Sequence, residues 1–297
     1  MPPSLACAAS VRPMGAGVRV VRTADELRRE VGAGSVFVPT MGALHEGHAS
    51  LMRVARREAR RRGADACVVS VFVNPTQFTE SEDLAAYPKT LEADLLVCER
   101  EGMDAVFVPS VEEVYPRGLD VRVPTLPAVA TEPGLEDRWR PGHFAGVCQV
   151  VLRLFEMVLP VAAVFGEKDW QQLQVVRALV RQERRGIDIV PGPTVRDTDG
   201  LAMSSRNGRL GSDERRIALA LYRALCRGGA VPDPSRAEAV MGREMADAGV
   251  GVEYAVVRDA ETLGAPRGSR TCRALVAGRV GKVRLIDNAM WPMESTG

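Results

Sequence analysis

Val36-Phe37-Val38-Pro39-Thr40-Met41-Gly42-Ala43-Leu44-His45-Glu46-Gly47-His48-Ala49-Ser50-Leu51 decides the fold. Val36 to Val38 form an apolar run suited to a buried strand, and Pro39 and Gly42 break it. An amphipathic helix follows, with Leu51, Val54 and Ala55 on one side and Arg53, Arg56 and Arg57 on the other. A strand, a glycine turn and a helix in that order point the unpaired amides and the positive dipole end of the helix at the turn, a setting suited to phosphate. His45 and His48, one turn apart, point the same way, and Gly47 leaves room for a ligand against the backbone. An imidazole donates a hydrogen bond to a phosphate oxygen whether neutral or charged. His-x-x-His alone is a weak signal, but two of the three histidines in the chain fall within four positions, which favours a ligand site.

A chain of 297 residues has room for one large domain or two modest ones. With a net charge of +1, nothing marks it as a general binder of nucleic acid or membrane surfaces. The six cysteines (Cys7, Cys67, Cys98, Cys148, Cys226, Cys272) form no Cys-x-x-Cys pair. Neither a zinc ribbon nor a dithiol redox centre is expected, and a reducing cytoplasm fits. No run approaches the ~18 apolar residues of a membrane span. Residues 1–17, rich in Pro, Ala and Gly, are expected to be a disordered extension and not a signal peptide. Basic residues are almost all arginine; only Lys89, Lys168 and Lys282 are lysines, so a lysine here marks a place where a compact ammonium is wanted.

Apolar runs near 18–21, 36–38, 67–73, 105–109, 161–165 and 187–190 alternate with helical patterns at 23–32, 45–63, 90–101, 147–159 and 169–184. That alternation predicts a doubly wound parallel sheet of α/β class. The helix over 90–101 is expected to turn Leu91, Leu95 and Leu96 inward and Glu92 and Asp94 outward. Asn74 to Phe78 should turn at the carboxyl end of a strand, where ligands of such sheets bind; Gln77 by itself reads as a polar loop residue. Residues 116–142 read as a loop excursion, and His143 as either a ligand contact or a helix cap. Gly166-Glu167-Lys168-Asp169 forms a second strand–turn–helix junction. A lysine there opposes the helix dipole unless an anion is also present. Pro191-Gly192-Pro193 is the expected boundary between a domain of residues 18–191 and one of residues 192–297. The second should be a smaller α+β domain with helices near 212–225 and 235–248 and an antiparallel sheet from 252–257, 273–277 and 282–286.

The histidine pair, with Met203-Ser204-Ser205-Arg206 far downstream, resembles the paired signatures of nucleotidylyl transferases and class I aminoacyl-tRNA synthetases. No lysine follows Ser204, which argues against a synthetase of that class. Four segments in order resemble the pantothenate synthetase (pantoate–β-alanine ligase) family: residues 39–48, Val71-Phe72-Val73-Asn74-Pro75-Thr76-Gln77-Phe78, Phe165-Gly166-Glu167-Lys168-Asp169-Trp170-Gln171-Gln172-Leu173, and Asp199-Gly200-Leu201-Ala202-Met203-Ser204-Ser205-Arg206-Asn207. The resemblance covers about Val18 to Asn288. It implies a Rossmann-like fold of the His-x-Gly-His type. It also implies an ATP-dependent ligation in which pantoate is adenylated and β-alanine then displaces AMP, with Mg2+ accompanying ATP.

What the resemblance implies for residues follows the same four segments. His45, His48 and Lys168 would stabilise charge on the phosphates as adenylation proceeds. Met41, Gly42, Ala43, Leu44, Glu46 and Gly47 would line the ATP site beside the histidines. Gly166, Glu167 and Asp169 would lie along the nucleotide from the second junction, with Val195 and Met203 across from them. Ser204, Ser205 and Arg206 would hold the outer phosphates. Gln77 and Gln172 would grip pantoate and β-alanine. Asp94 is the weakly supported metal ligand, since its neighbours Glu92 and Ala93 depart from the acidic cluster of the family. A homodimer is implied, and the carboxyl-terminal domain would act as a lid. Rival readings are an adenylyl transferase acting on a phosphorylated partner and a non-catalytic nucleotide-binding module; Gln77 and Gln172 disfavour the first, and intact His45, His48 and Lys168 disfavour the second.

Overall fold

The computed structural model describes residues 17–78, 84–118, 123–267 and 271–293. The extension expected at residues 1–17 therefore lies outside the described residues except for Gly17. Six parallel strands build the first sheet: β1 (Arg19–Val21), β2 (Val36–Thr40), β3 (Cys67–Val71), β4 (Ala105–Phe107), β5 (Ala162–Gly166) and β6 (Asp188–Gly192), in the order β1-β4-β3-β2-β5-β6. The helices that follow the strands are α1 (Ala24–Glu30), α2 (Glu46–Arg62), α3 (Leu91–Arg100), α4 (His143–Val158) and α5 (Trp170–Gln182).

Both faces of the sheet are covered, as parallel sheets require. Val36 and Val38 of β2, Val69 of β3 and Val164 of β5 pack with Met52 and Ala55 of α2. The intervening Phe37, Val68 and Ala163 point the other way, into a core with α4 and α5. Phe37 meets Phe155 there edge to face at 6.4 Å. Local signals set the ends: Thr23 and Glu26 make the capping box of α1, and Gly63, at φ 64°, stops α2. The chain leaves β2 toward β3 and β4 on one side, then returns to place β5 on the other. The cleft outside the carboxyl ends of β2 and β5 is thus the switch point where such sheets bind ligands.

Beyond β6 come α6 (Ser212–Gly229), α7 (Pro234–Asp247), β7 (Gly251–Asp259), β8 (Cys272–Val280) and β9 (Val283–Trp291). The three strands form an antiparallel sheet in that order, with Leu221 and Leu225 of α6 and Met241 of α7 packed on Val276. The two sheets meet through buried groups. The Trp170 indole donates to the Ala260 carbonyl at 2.8 Å, and the Arg273 guanidinium lies 3.5 Å over the Trp170 ring. Arg284 grips both oxygens of Glu136 at 2.7 Å.

Two local expectations change. The strand expected to end at Val190 continues as β6 through Pro191 and Gly192, which pair with Phe165 and Gly166. Helix α3 is rotated from the expected sense: Asp94 is 2 % exposed and Leu96 is 68 % exposed. The cause is polar. The Asp94 carboxylate accepts the main-chain amides of Ala43 at 3.1 Å and Leu44 at 2.8 Å. Charge-assisted bonds of this kind outweigh the burial of one leucine.

Candidate active site

The carboxyl ends of β2 and β5, the start of α2 and the loop after β6 enclose one cavity. Met41, His45, Gly47 and His48 line it from the first junction, and Gly166, Lys168 and Asp169 from the second. Gln77 and Gln172 stand on its walls, and Val195 and Met203 to Arg206 close it from the loop. Segments far apart in the sequence thus face one space.

The histidines have defined protons. The Gly47 amide donates to Nδ1 of His45 at 3.1 Å, and the His45 amide donates to Nδ1 of His48 at 3.3 Å. An accepting Nδ1 leaves the ring proton on Nε2 in both residues. Burial, with the neighbouring His45 and Lys168, pushes the His48 pKa down to about 3. Burial and Lys168 lower that of His45 as well. At neutral pH both rings are therefore uncharged N–H donors. Their centroids are 4.2 Å apart. Gly47 is required beside them, because a Cβ there would stand 2.8 Å from Cε1 of His45.

Gln77 sits in a 3-10 turn, Pro75–Gln77, at the end of β3. Its Oε1 accepts from Nδ2 of Asn74 at 3.1 Å, and its Nε2 contacts the Met41 sulfur at 3.1 Å. Each end of the amide is thus held by one neighbour and keeps one further hydrogen-bonding position. Asn74 is fixed in turn by the Tyr115 hydroxyl, which donates to its Oδ1 at 2.8 Å, while its Nδ2 also donates to the Gly146 carbonyl at 3.2 Å.

Not every expected site residue is part of the cavity lining. Gly42, Ala43, Leu44, Glu46 and Glu167 do not line the cavity. The Ala43 and Leu44 amides are taken by Asp94, and the Gly42 amide by Oγ1 of Thr40 at 3.2 Å. Glu46 turns outward to Arg53, and Glu167 pairs with Arg273 at 3.0 Å. Asp94 does not fit a metal ligand. Its two oxygens already accept the Ala43 and Leu44 amides, and the Thr90 hydroxyl donates to one of them at 3.2 Å. Among the described residues no cluster of three or more His, Cys, Asp or Glu side chains is placed to hold a metal.

Other residues matter that motif reading passed over. Gly146 lets α4 lie against the Gln77 turn: a Cβ there would come within 2.3 Å of the Thr76 carbonyl oxygen. An isolated glycine inside a helical pattern was the available signal. His143, left open between ligand contact and cap, is a buried strut. Its Nδ1 lies 2.8 Å from the Gln77 carbonyl and its Nε2 lies 3.0 Å from Nη1 of Arg140. Burial and the Arg140 charge push its pKa down to about 3.

Comparison with known proteins relates the chain to one family. The family described as pantoate-beta-alanine ligase matches residues 16–290. A pantothenate synthetase of Rubrobacter xylanophilus is 49 % identical over 292 residues, spanning 93 % of this chain and 98 % of that protein. The crystal structure of pantothenate synthetase from Thermus thermophilus superposes with a TM-score of 0.85 at 42 % identity, covering 92 % of this chain and 99 % of that one. A pantoate-beta-alanine ligase from Francisella tularensis, complexed with beta-gamma ATP and beta-alanine, superposes with a TM-score of 0.76 at 31 % identity, covering 92 % and 98 %.

Proposed function

The chain belongs to the pantoate–β-alanine ligase family, and from that premise we propose that it joins pantoate to β-alanine with cleavage of ATP to AMP and diphosphate. The observation that carries this reading is the single cavity that sets two neutral imidazole donors, Lys168 and the 204–206 loop against the amides Gln77 and Gln172.

In the first step a pantoate carboxylate oxygen attacks the α-phosphorus. The bond from that phosphorus to the bridging oxygen breaks, and its electron pair leaves with diphosphate. Negative charge grows on the departing oxygens, so fixed donors aimed there lower the barrier. His45 and His48 supply Nε2–H groups, and Lys168 supplies a full charge. Before ATP binds, the His48 ring is neutral, so it meets the phosphates as a hydrogen-bond donor. Ser204, Ser205 and Arg206 take the outer phosphates. Gly166 and Asp169 flank the ribose, with Met41, Val195 and Met203 along the nucleotide. In the second step the β-alanine nitrogen bonds to the acyl carbon, the bond from that carbon to the phosphate oxygen breaks, and AMP leaves with the electron pair. The nitrogen passes its surplus protons to water. Gln77 and Gln172 hold the acyl group through both steps.

Magnesium belongs to this reading as the companion of ATP; Asp94 is not assigned to it, and no step is drawn through it. The remaining parts are a homodimer in the cytoplasm and a division near residue 191, with residues 192–297 closing over ATP. Among the described residues no helix is long and apolar enough to cross a membrane.

Exchange of labelled diphosphate into ATP tests the reading. Exchange that requires pantoate, and occurs without β-alanine, is expected. Exchange driven by a different acid would retain adenylation but overturn the substrate, and no exchange with any acid in protein that binds ATP would overturn the enzyme.

A further inference from the structure

Among the described residues three basic side chains line the central cavity: Lys168, Arg206 and Arg140. Phosphate binding occupies the first two in the reading above. Arg140 has another setting. The Gln77 carbonyl can only accept, so Nδ1 of His143 donates to it and Nε2 accepts from Arg140. One imidazole thus ties the Arg140 guanidinium to the main chain that carries Gln77.

Arg140 makes only a long ion pair, with a carboxylate that is shared. Glu136 is 3.7 Å away, and both its oxygens are already engaged by Arg284, one of them also by the Tyr254 hydroxyl at 2.8 Å. Burial, the first cause, and the nearby Arg206 and Arg284 charges disfavour its charged state, while Glu136 and Asp169 favour it. Apart from the bond to His143, its side-chain N–H donors meet no hydrogen-bond acceptor among the described residues. A planar fork held half-buried with open donors suits one ligand chemistry above others, a carboxylate.

We propose that Arg140 binds the carboxylate of the amine substrate and so selects a β-amino acid. This rests on the ligase reading. The second step needs an amine delivered to the acyl carbon, and β-alanine carries its carboxylate two methylenes from its nitrogen. Bound through that carboxylate at Arg140, its amine extends toward the acyl group that Gln77 holds. An α-amino acid anchored the same way stops one carbon short.

The test compares wild type with Arg140→Ala and Arg140→Lys in two assays: pantoate-dependent diphosphate exchange, and amide formation from β-alanine or from n-propylamine, which has the same length and no carboxylate. Exchange should persist in both variants. The KM for β-alanine should rise about 10- to 100-fold in Arg140→Ala, the scale of a lost charged hydrogen bond. The preference for β-alanine over propylamine should fall with it, while the propylamine rate holds. A variant that folds but loses exchange would place Arg140 with the phosphates and overturn the proposal, as would an unchanged KM. Should Arg140→Ala not fold, the amine preference of Arg140→Lys decides in the same way. Failure of exchange in wild type would instead sink the ligase reading.

Discussion

The side-chain amide of Asn288 donates to the main-chain carbonyl of Lys168 at 2.8 Å and to that of Glu167 at 3.0 Å. Its Oδ1 accepts from Nε of Arg273 at 2.6 Å. A strand of the antiparallel sheet thereby holds the turn that presents Lys168 to the cavity, so the place of that turn depends on a residue 120 positions downstream.

Removing that support should be costly in two ways. Asn288→Ala leaves the carbonyls of Glu167 and Lys168 and Nε of Arg273 without these partners, at about 1–3 kcal/mol. Chemical denaturation should read that loss, and diphosphate exchange should fall about 10-fold as Lys168 loses its position. An unchanged exchange rate in the destabilised variant would separate the strut from the chemistry.

His48→Ala and Lys168→Ala should each lower exchange by about 10²-fold or more, the scale of losing one oriented donor to a developing oxyanion. Circular dichroism should match wild type. A rate close to wild type in a clean preparation would remove the residue from the mechanism.

Gly146→Ala should push the Gln77 turn away from α4, because the added carbon meets the Thr76 carbonyl and the Gln77 amide nitrogen at 2.3 and 2.6 Å. Backbone cannot yield as a flexible side chain does, so a loss of about 1–3 kcal/mol is expected. The KM for pantoate should rise while ATP binding, followed by calorimetry, holds. A pantoate KM that does not move would show that the turn adapts.

Stability should fall on the acid side through His143, which is buried and neutral with its pKa near 3. Unfolded, the ring titrates at about 6.5 and binds a proton that the folded ring refuses. Its contribution is therefore complete above pH 6.5 and is lost as the pH falls toward 3, at about 1.4 kcal/mol per pH unit. Urea unfolding at pH 7 and pH 5 should show a shallower decline in His143→Gln than in wild type. Parallel declines would mean that other groups carry the acid sensitivity.

If residues 192–297 close over ATP, small-angle scattering should show a more compact particle with a non-hydrolysable ATP analogue than without. The bonds from Arg284 to Glu136 and from Asn288 to Lys168 tie the two sheets together, so the change should be small. Identical profiles would remove the lid.

Much of the architecture was legible because it rests on local repetition. Val36 to Val38, Cys67 to Val73 and Val161 to Phe165 are apolar runs with breakers behind them, and alternation with amphipathic helices leaves few topologies but a doubly wound parallel sheet. Sequence reading also singled out the junctions at His45–His48 and Lys168, which do line the cavity, since strand, turn and helix make a donor-rich end wherever they occur in that order. It failed at Asp94, which hydropathy turned outward. The two amides that call Asp94 inward lie about 50 positions upstream, and no local pattern shows them.

By itself, then, the sequence determined the element order, the sheet class, the family and four segments that supply much of the cavity lining. These follow from short-range periodicity, turn residues and residue type. Only the tertiary structure decided which of those residues reach the cavity. It set the protons of His45 and His48, fixed the Gln77 amide between Asn74 and Met41, withdrew Gly42 to Leu44 into bonds of their own, and gave Arg140, His143, Gly146 and Asn288 their places. Each of those outcomes depends on a hydrogen bond or a close approach between groups set near one another by the fold, and often far apart in the chain, so periodicity and motif spacing carry little trace of it.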